Sequence, residues 1–266
     1  MRLLLHTIAL EPARWTPQRT SRTLTDILAS IAASKFQILE IYEPHLTAAT
    51  VSAEIKDAFA KYNLTPEILS SYLNVNPMVT SDSALDAGLE VIRARIAYYG
   101  FRKIRLFPGP GMKPSDSAGR DVFVQRLKRI VSFLPETEIL LETHDGSLAD
   151  DPATITQIVA DLASPRVGLL YQPTMFDAEG SLRQFEMEKP FIRHLHLQNR
   201  NPDLSFALMG DGVIPWERIF SNVPTDLSAT LEFVPIGICP VEAFDLAATM
   251  RQVCDEADSI RNLGLK

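Results

Sequence analysis

Residues 83–107 read SALDAGLEVIRARIAYYGFRKIRLF. Leu85, Leu89, Ile92 and Ile96 recur at helical spacing, which predicts an amphipathic helix over 83–98. A short apolar strand, KIRLF, follows at 103–107. The same alternation extends in both directions. Upstream, strands are predicted at 2–9 (RLLLHTIA), 36–41 (FQILEI) and 67–72 (EILSSY), with helices near 18–34 and 50–61 between them. Downstream, strands are predicted at 139–143 (ILLET), 166–172 (RVGLLYQ), 191–197 (FIRHLHL) and 227–233 (LSATLEF). Helices are predicted near 120–133, 152–163 and 181–189, from Pro215 onward, and over 241–260. That makes eight strand–helix units of about 33 residues each. Eight consecutive units fit a closed barrel better than an open doubly wound sheet. The expected fold is therefore α/β, a (β/α)₈ TIM barrel, with residues 1–266 forming one domain.

Composition narrows the function. A net charge of −7 is a poor basis for binding nucleic acid or an anionic membrane surface. No segment approaches 18 consecutive apolar residues, and MRLLLHTIALEP reads as a first strand, not a signal peptide. Cys239 and Cys254 form no CxxC and no disulfide framework, which suits a reducing, cytoplasmic compartment. Neither GxGxxG nor a Walker A motif follows any strand.

In a barrel of this kind the informative positions are polar residues at the C-terminal ends of strands. Glu40, Glu142, His144, Gln172, His194, His196 and Glu232 all fall at or near such ends. Side chains alternate faces along a strand, so His194 and His196 share one face and Leu195 and Leu197 the other. Glu142 and His144 share a face in the same way, as do Thr230 and Glu232. Glu142, Gln172, His196 and Glu232 can thus converge from four successive strands. Two inward carboxylates repel each other unless a cation sits between them. Their oxygen-rich set with one imidazole suits Mn²⁺ or Mg²⁺, with Zn²⁺, Co²⁺ or Fe²⁺ as further candidates. A competing reading makes Glu142 a lining acid paired with Arg105 or His144, and Glu232 a partner of Arg200 or Arg105.

These strand ends resemble those of the xylose isomerase-like TIM barrel superfamily, the sugar phosphate isomerase/epimerase family, over nearly the whole chain. LLETHDG at 140–146, GLLYQPTMF at 168–176, RHLHLQNR at 193–200 and TLEF at 230–233 carry the likeness, together with GDGVIPWERIF at 210–220. The resemblance implies metal ligands at Glu142, Gln172, His196 and Glu232. Gln172 departs from the family, which usually has Asp there and gains a charge from it. Met175 departs too, standing where epimerase members often have a substrate-binding histidine.

The resemblance also implies isomerisation or epimerisation of a small polyhydroxylated carbonyl compound through a metal-stabilised enediolate. Glu142 and Glu232 would be the proton-transferring pair, and Glu40, Arg105, His144, Gln172, His194 and Arg200 the substrate contacts. Two alternatives stay open. One is a dehydratase of an inosose-like keto-polyol, and the other is a metal-free sugar-binding barrel. The family's apurinic endonucleases need more histidines than the five present. Association into homo-oligomers is compatible with all three readings.

Overall fold

The protein is described from a computed structural model that covers residues 1–46 and 51–264. Eight parallel strands close into a barrel in the order β1-β10-β7-β6-β5-β4-β3-β2. They are β1 (Arg2–His6), β2 (Ile38–Tyr42), β3 (Thr65–Ser70), β4 (Lys103–Leu106), β5 (Glu138–Glu142), β6 (Val167–Tyr171), β7 (Ile192–Leu197) and β10 (Ser228–Leu231). Strands β8 (Asn199–Arg200) and β9 (Phe206–Ala207) form a small antiparallel hairpin that the sequence pattern does not reveal.

The helices are α1 (Leu24–Ile31), α2 (Ala53–Lys61), α3 (Asp82–Tyr99), α4 (Ser117–Phe133), α5 (Pro152–Leu162), α6 (Ala178–Glu188), α7 (Trp216–Phe220) and α8 (Leu246–Asn262). All but α7 begin at a Ser, Thr or Asp whose side chain accepts a backbone N–H of the first turn. Helix α3 ends at Gly100, whose φ of +84° closes the last turn at little steric cost. Helix α2 starts at Ala53, and residue 50, where the pattern placed its start, lies outside the described residues.

Alternation along the strands separates two layers. Leu39, Ile41, Leu69, Ile104, Leu106, Leu141, Leu169, Leu195, Leu197 and Leu231 face outward into the main core beneath the helices. Leu4, Ile68, Leu140 and Leu170 face inward and plug the barrel. Everything above that plug is polar, because the next inward residues are His6, Glu40, Arg105, Glu142, His194 and His196. Two bulges help set these registers. One lies opposite Leu39 and Glu40 where β3 carries Pro66, which lacks an N–H, and the other lies at Arg193 in β7. Gly168 faces the second bulge, and a Cβ there would meet Arg193 Cγ at 2.2 Å.

Two segments depart from the sequence pattern for a common reason. The first strand, expected over 2–9, stops at His6, and the first helix, expected from 18, starts only at Leu24. Between them the chain folds back on the buried carboxylate of Glu11. That carboxylate accepts from the N–H groups of Ala13 and Ser21, from the Ser21 and Thr20 hydroxyls, and from His45 Nε2 at 3.1 Å. These bonds outweigh the cost of burial and hold Glu11 down at about 2. The result is an ordered β1–α1 loop, not a longer helix.

Glu188 at the end of α6 is buried on less favourable terms. Its Oε1 accepts from Gln184 Nε2 at 3.2 Å, and its Oε2 has no hydrogen-bond partner. Burial pushes its carboxyl up to about 8, against a smaller opposing contribution from Gln184. The folded state therefore binds a proton that the unfolded state releases above its ordinary value of 4.5. This contribution is fully present below that value and is lost as pH rises toward 8. Glu188→Gln should leave Tm nearly unchanged at pH 4 and raise stability by on the order of 2 kcal/mol at pH 8. Thermal melts at both pH values check this, and equal shifts at the two would refute the assignment.

Candidate metal centre and cavity

His196 is the hub of the polar layer. Its Nε2 lies 3.0 Å from Glu40 Oε2. Its Nδ1 lies 3.3 Å from Glu142 Oε1 and 3.6 Å from Glu232 Oε1. Three strands and the end of a fourth thus aim one imidazole and three carboxylates at a single region: β7, β2, β5 and the residue after β10. Arg105 from β4 closes the far side of Glu142, with Nε 3.0 Å from Oε2. Gln198 Nε2 donates to Glu232 Oε2 at 3.1 Å.

The electrostatics follow from this crowding. Burial disfavours charge on His196, but Glu40, Glu232 and Glu142 together outweigh it and hold the imidazole well above its usual range. Burial also disfavours charge on Glu142, yet Arg105 and His196 bring it down to about 2. Glu232 lacks so close a cation. Burial, Glu142 and Glu40 push it up to about 7 against the pull of His196 and Arg105. His6 is driven down to about 3 by burial and stays neutral.

A cavity of about 260 Å³ opens above this cluster. Arg105, Glu142, His144, Gln172, Arg200 and Glu232 all line it. Glu40 and His194, expected as substrate contacts, are fully buried and are not among the lining residues. Glu40 instead holds His196 from below, while His194 bonds Ser228 Oγ and Thr230 Oγ1 at 2.7 and 2.6 Å. Their depth follows from strand position: each points inward, but one pair of residues too early to reach the mouth.

The sequence profile described as xylose isomerase-like TIM barrel matches residues 28–226. The chain belongs to this family. No curated protein gives a match. Among solved structures, the chain is similar to the probable 3-DHS dehydratase AsbF of Bacillus anthracis, with 19% identity, 95% of this chain and 98% of the other covered, and a TM-score of 0.72. It is similar to IOLI protein solved with a zinc atom, with 14% identity, 98% of each chain covered and a TM-score of 0.72. It also resembles a xylose isomerase-like TIM barrel protein from Mycobacterium smegmatis in complex with magnesium, with 11% identity, 100% and 98% covered, and a TM-score of 0.68. At these identities the structural matches bear on the fold alone.

Within this family fold the donor atoms fit a divalent cation. The inward atom of the Gln172 amide lies 3.0 Å from Glu142 Oε1, 2.9 Å from Glu232 Oε2 and 3.3 Å from His196 Nδ1. If that atom is oxygen, it faces two carboxylate oxygens that a cation between them would stabilise, with His196 Nδ1 at 3.3 Å and Gln198 Nε2 at 3.1 Å as its other neighbours. If it is nitrogen, the amide donates to both carboxylates and holds them together without an ion. Glu40 supports the first arrangement by engaging His196 Nε2, which leaves Nδ1 directed at the other ligands.

His6, His196 and Glu232 also bring ligand atoms within 4.8 Å of one another, a buried cluster able to coordinate a divalent ion. His6 Nδ1 accepts the Ile8 N–H at 3.1 Å, however, so its Nε2 carries the proton, 3.0 Å from Ser70 Oγ. That proton would have to leave before His6 could ligate. The sequence reading missed His6 because it placed the residue mid-strand, although its parity with Leu4 was a signal that it faced inward. It also missed Gln198, which continues the parity of His194 and His196.

Gln172→Asp should bind Mn²⁺ at least about tenfold more tightly, since it adds a charged oxygen ligand. Its metal-free form should melt lower, because the amide no longer separates Glu142 from Glu232. Equilibrium dialysis and thermal melts of the metal-free proteins check both. Unchanged affinity would place the ion away from residue 172.

Proposed function

We propose that this protein is a divalent-metal-dependent isomerase or epimerase that moves a proton at a carbon beside the carbonyl of a small polyhydroxylated substrate. The observation that carries this reading is the placement of Glu142 and Glu232. They meet across one point at the cavity floor, marked by the Gln172 amide atom at 3.0 and 2.9 Å from them. Glu142, His196, Glu232 and the Gln172 oxygen would hold the ion, with Mn²⁺ or Mg²⁺ best suited to the oxygen-rich set. When bound, the ion supplies Lewis acidity that offsets negative charge developing on the substrate oxygen.

The rest is work for the chain itself. Arg105 engages Glu142 Oε2, leaving Oε1 as the atom that accepts the substrate proton. Gln198 engages Glu232 Oε2, leaving its Oε1 to return a proton from the other side. Proton removal on one face and return on the other inverts the carbon, which is epimerisation. Return at the neighbouring carbon is isomerisation. Glu40 keeps the His196 ring fixed throughout, so neither carboxylate needs to reorganise when the substrate charge changes.

A panel of ketoses and keto-polyols incubated with Mn²⁺-loaded protein in D₂O, followed by proton NMR, tests the proposal. The α-proton signal should disappear in the wild type. Glu142→Gln and Glu232→Gln should each slow that exchange by about 10²–10⁴-fold. Exchange at the wild-type rate in both variants would sink the two-carboxylate assignment.

A further inference from the structure

The main chain at Gln172 is held by side chains, because the barrel sheet stops short of it. The ladder between β5 and β6 ends at the pair Glu142 and Leu170, and the ladder between β6 and β7 ends at Tyr171 and Leu195. Gln172 is the next residue and lies beyond both. Pro173 follows it and brings no N–H.

Thr143, the residue after Glu142, supplies the first clamp. Its Oγ1 accepts the Gln172 N–H at 2.7 Å and donates to the Gln172 oxygen at 2.8 Å. Gln184 on α6 supplies the second. Its Nε2 donates to the Gln172 oxygen at 3.0 Å, and its Oε1 accepts the Thr174 N–H at 2.9 Å. A residue of a neighbouring parallel strand bonds the same two groups, the C=O of one residue and the N–H two positions on. The Gln184 amide thus continues the sheet for one step after the strand has ended.

Two more bonds fix that amide. Its Oε1 also accepts from Thr174 Oγ1 at 3.2 Å, and its Nε2 also donates to Glu188 Oε1 at 3.2 Å. Both donors and both acceptor sites of the amide are therefore in use. Turned over, its oxygen would face the oxygens of Gln172 and Glu188. Gln184 is 1% exposed, so solvent cannot replace a lost bond. Glu188 lies one turn further along α6, and burial pushes its carboxyl up to about 8, so it is a neutral acceptor at pH 7.

The side chain of Gln172 is fixed less firmly than its main chain, since either end of its amide can face Glu142 and Glu232. What α6 fixes is the point from which that side chain starts. A ligand atom must lie within about 0.5 Å of its productive position, and the starting point sets whether it can.

We propose that Gln184 is a positioning residue for the metal site, fixing the main chain at Gln172 and so setting how tightly the Gln172 side chain can hold a divalent cation. The inference rests on the reading of Glu142, Gln172, His196 and Glu232 as the ligands. Gln184 does not line the cavity, and it acts only through residue 172.

The test is a double-mutant cycle read as Mn²⁺ affinity, measured by equilibrium dialysis of metal-free proteins at pH 7. Gln184→Met keeps the side-chain volume and removes the donor to the Gln172 oxygen. It should weaken Mn²⁺ binding about tenfold, as loss of a group that orients a ligand does. Gln172→Ala should weaken binding by at least as much. Gln184→Met placed in the Gln172→Ala protein should cost less than about twofold more, because the side chain it positions is gone. A merely structural role would repeat the tenfold loss in that background. Gln184→Asn, which keeps the amide but falls one methylene short, takes its place in the cycle if Gln184→Met does not fold. Wild-type affinity in the Gln184 variant, or a repeated tenfold loss in the Gln172→Ala protein, overturns the inference and leaves the ligand set standing. Wild-type affinity in Gln172→Ala removes residue 172 from the ligands and overturns the inference, while the two-carboxylate proposal stands. No Mn²⁺ binding by the wild type at millimolar metal overturns the metal-dependent reading and the inference with it.

Discussion

Three buried carboxylates converge on the His196 imidazole in a part of the barrel that water hardly reaches. In low dielectric such a cluster is costly, and it persists only if its charge is balanced and its geometry is held. Arg105 provides one countercharge and the protonated imidazole another. The apolar plug of Leu4, Ile68, Leu140 and Leu170 fixes the floor, and the ring of strand hydrogen bonds fixes the walls. The rest of the polar layer can be understood as support for this arrangement. Glu40 holds His196, and Gln198 holds Glu232.

Gln172 is where balance and function meet. An aspartate at this position would add a fourth negative charge to the cluster, stabilised only when a cation is present. The amide has no charge and two different ends. With nitrogen inward it ties Glu142 to Glu232, and with oxygen inward it turns an acceptor toward both carboxylates. A neutral amide therefore leaves the cluster less dependent on a cation for its integrity than a carboxylate would. That is a physical reason why a family member can depart from the usual residue and still keep both glutamates and the histidine in register.

The mouth is built separately from the floor. Its aromatic and cationic residues come from the β1–α1 loop, the β8–β9 hairpin and the segments that follow the strands. Glu11 orders the first of these by gathering five donors and so holds Trp15 over the cavity. Barrel strands position the buried carboxylates and His196 rigidly, while the mouth is lined by loops anchored at single buried groups.

The sequence by itself determined the architecture and most of the floor. Short apolar strands with period-two alternation, set between helices with period 3.6, leave few topologies open, and the same alternation put His196 beside Glu142 and Glu232. It also allowed the pairing of Glu142 with Arg105 as an alternative, and the structure holds that pair within the same cluster. Tertiary structure alone decided depth and reach. Glu40 and His194 share the inward face with the lining residues but lie below the cavity, because height in a barrel depends on strand stagger and bulges that no single strand encodes. Trp15 and Phe176 reach the mouth from loops, and the course of the first is set by long-range bonds such as Glu11 to His45, 34 residues apart. Periodicity carries no record of such bonds, so the floor of the site was legible and its rim was not.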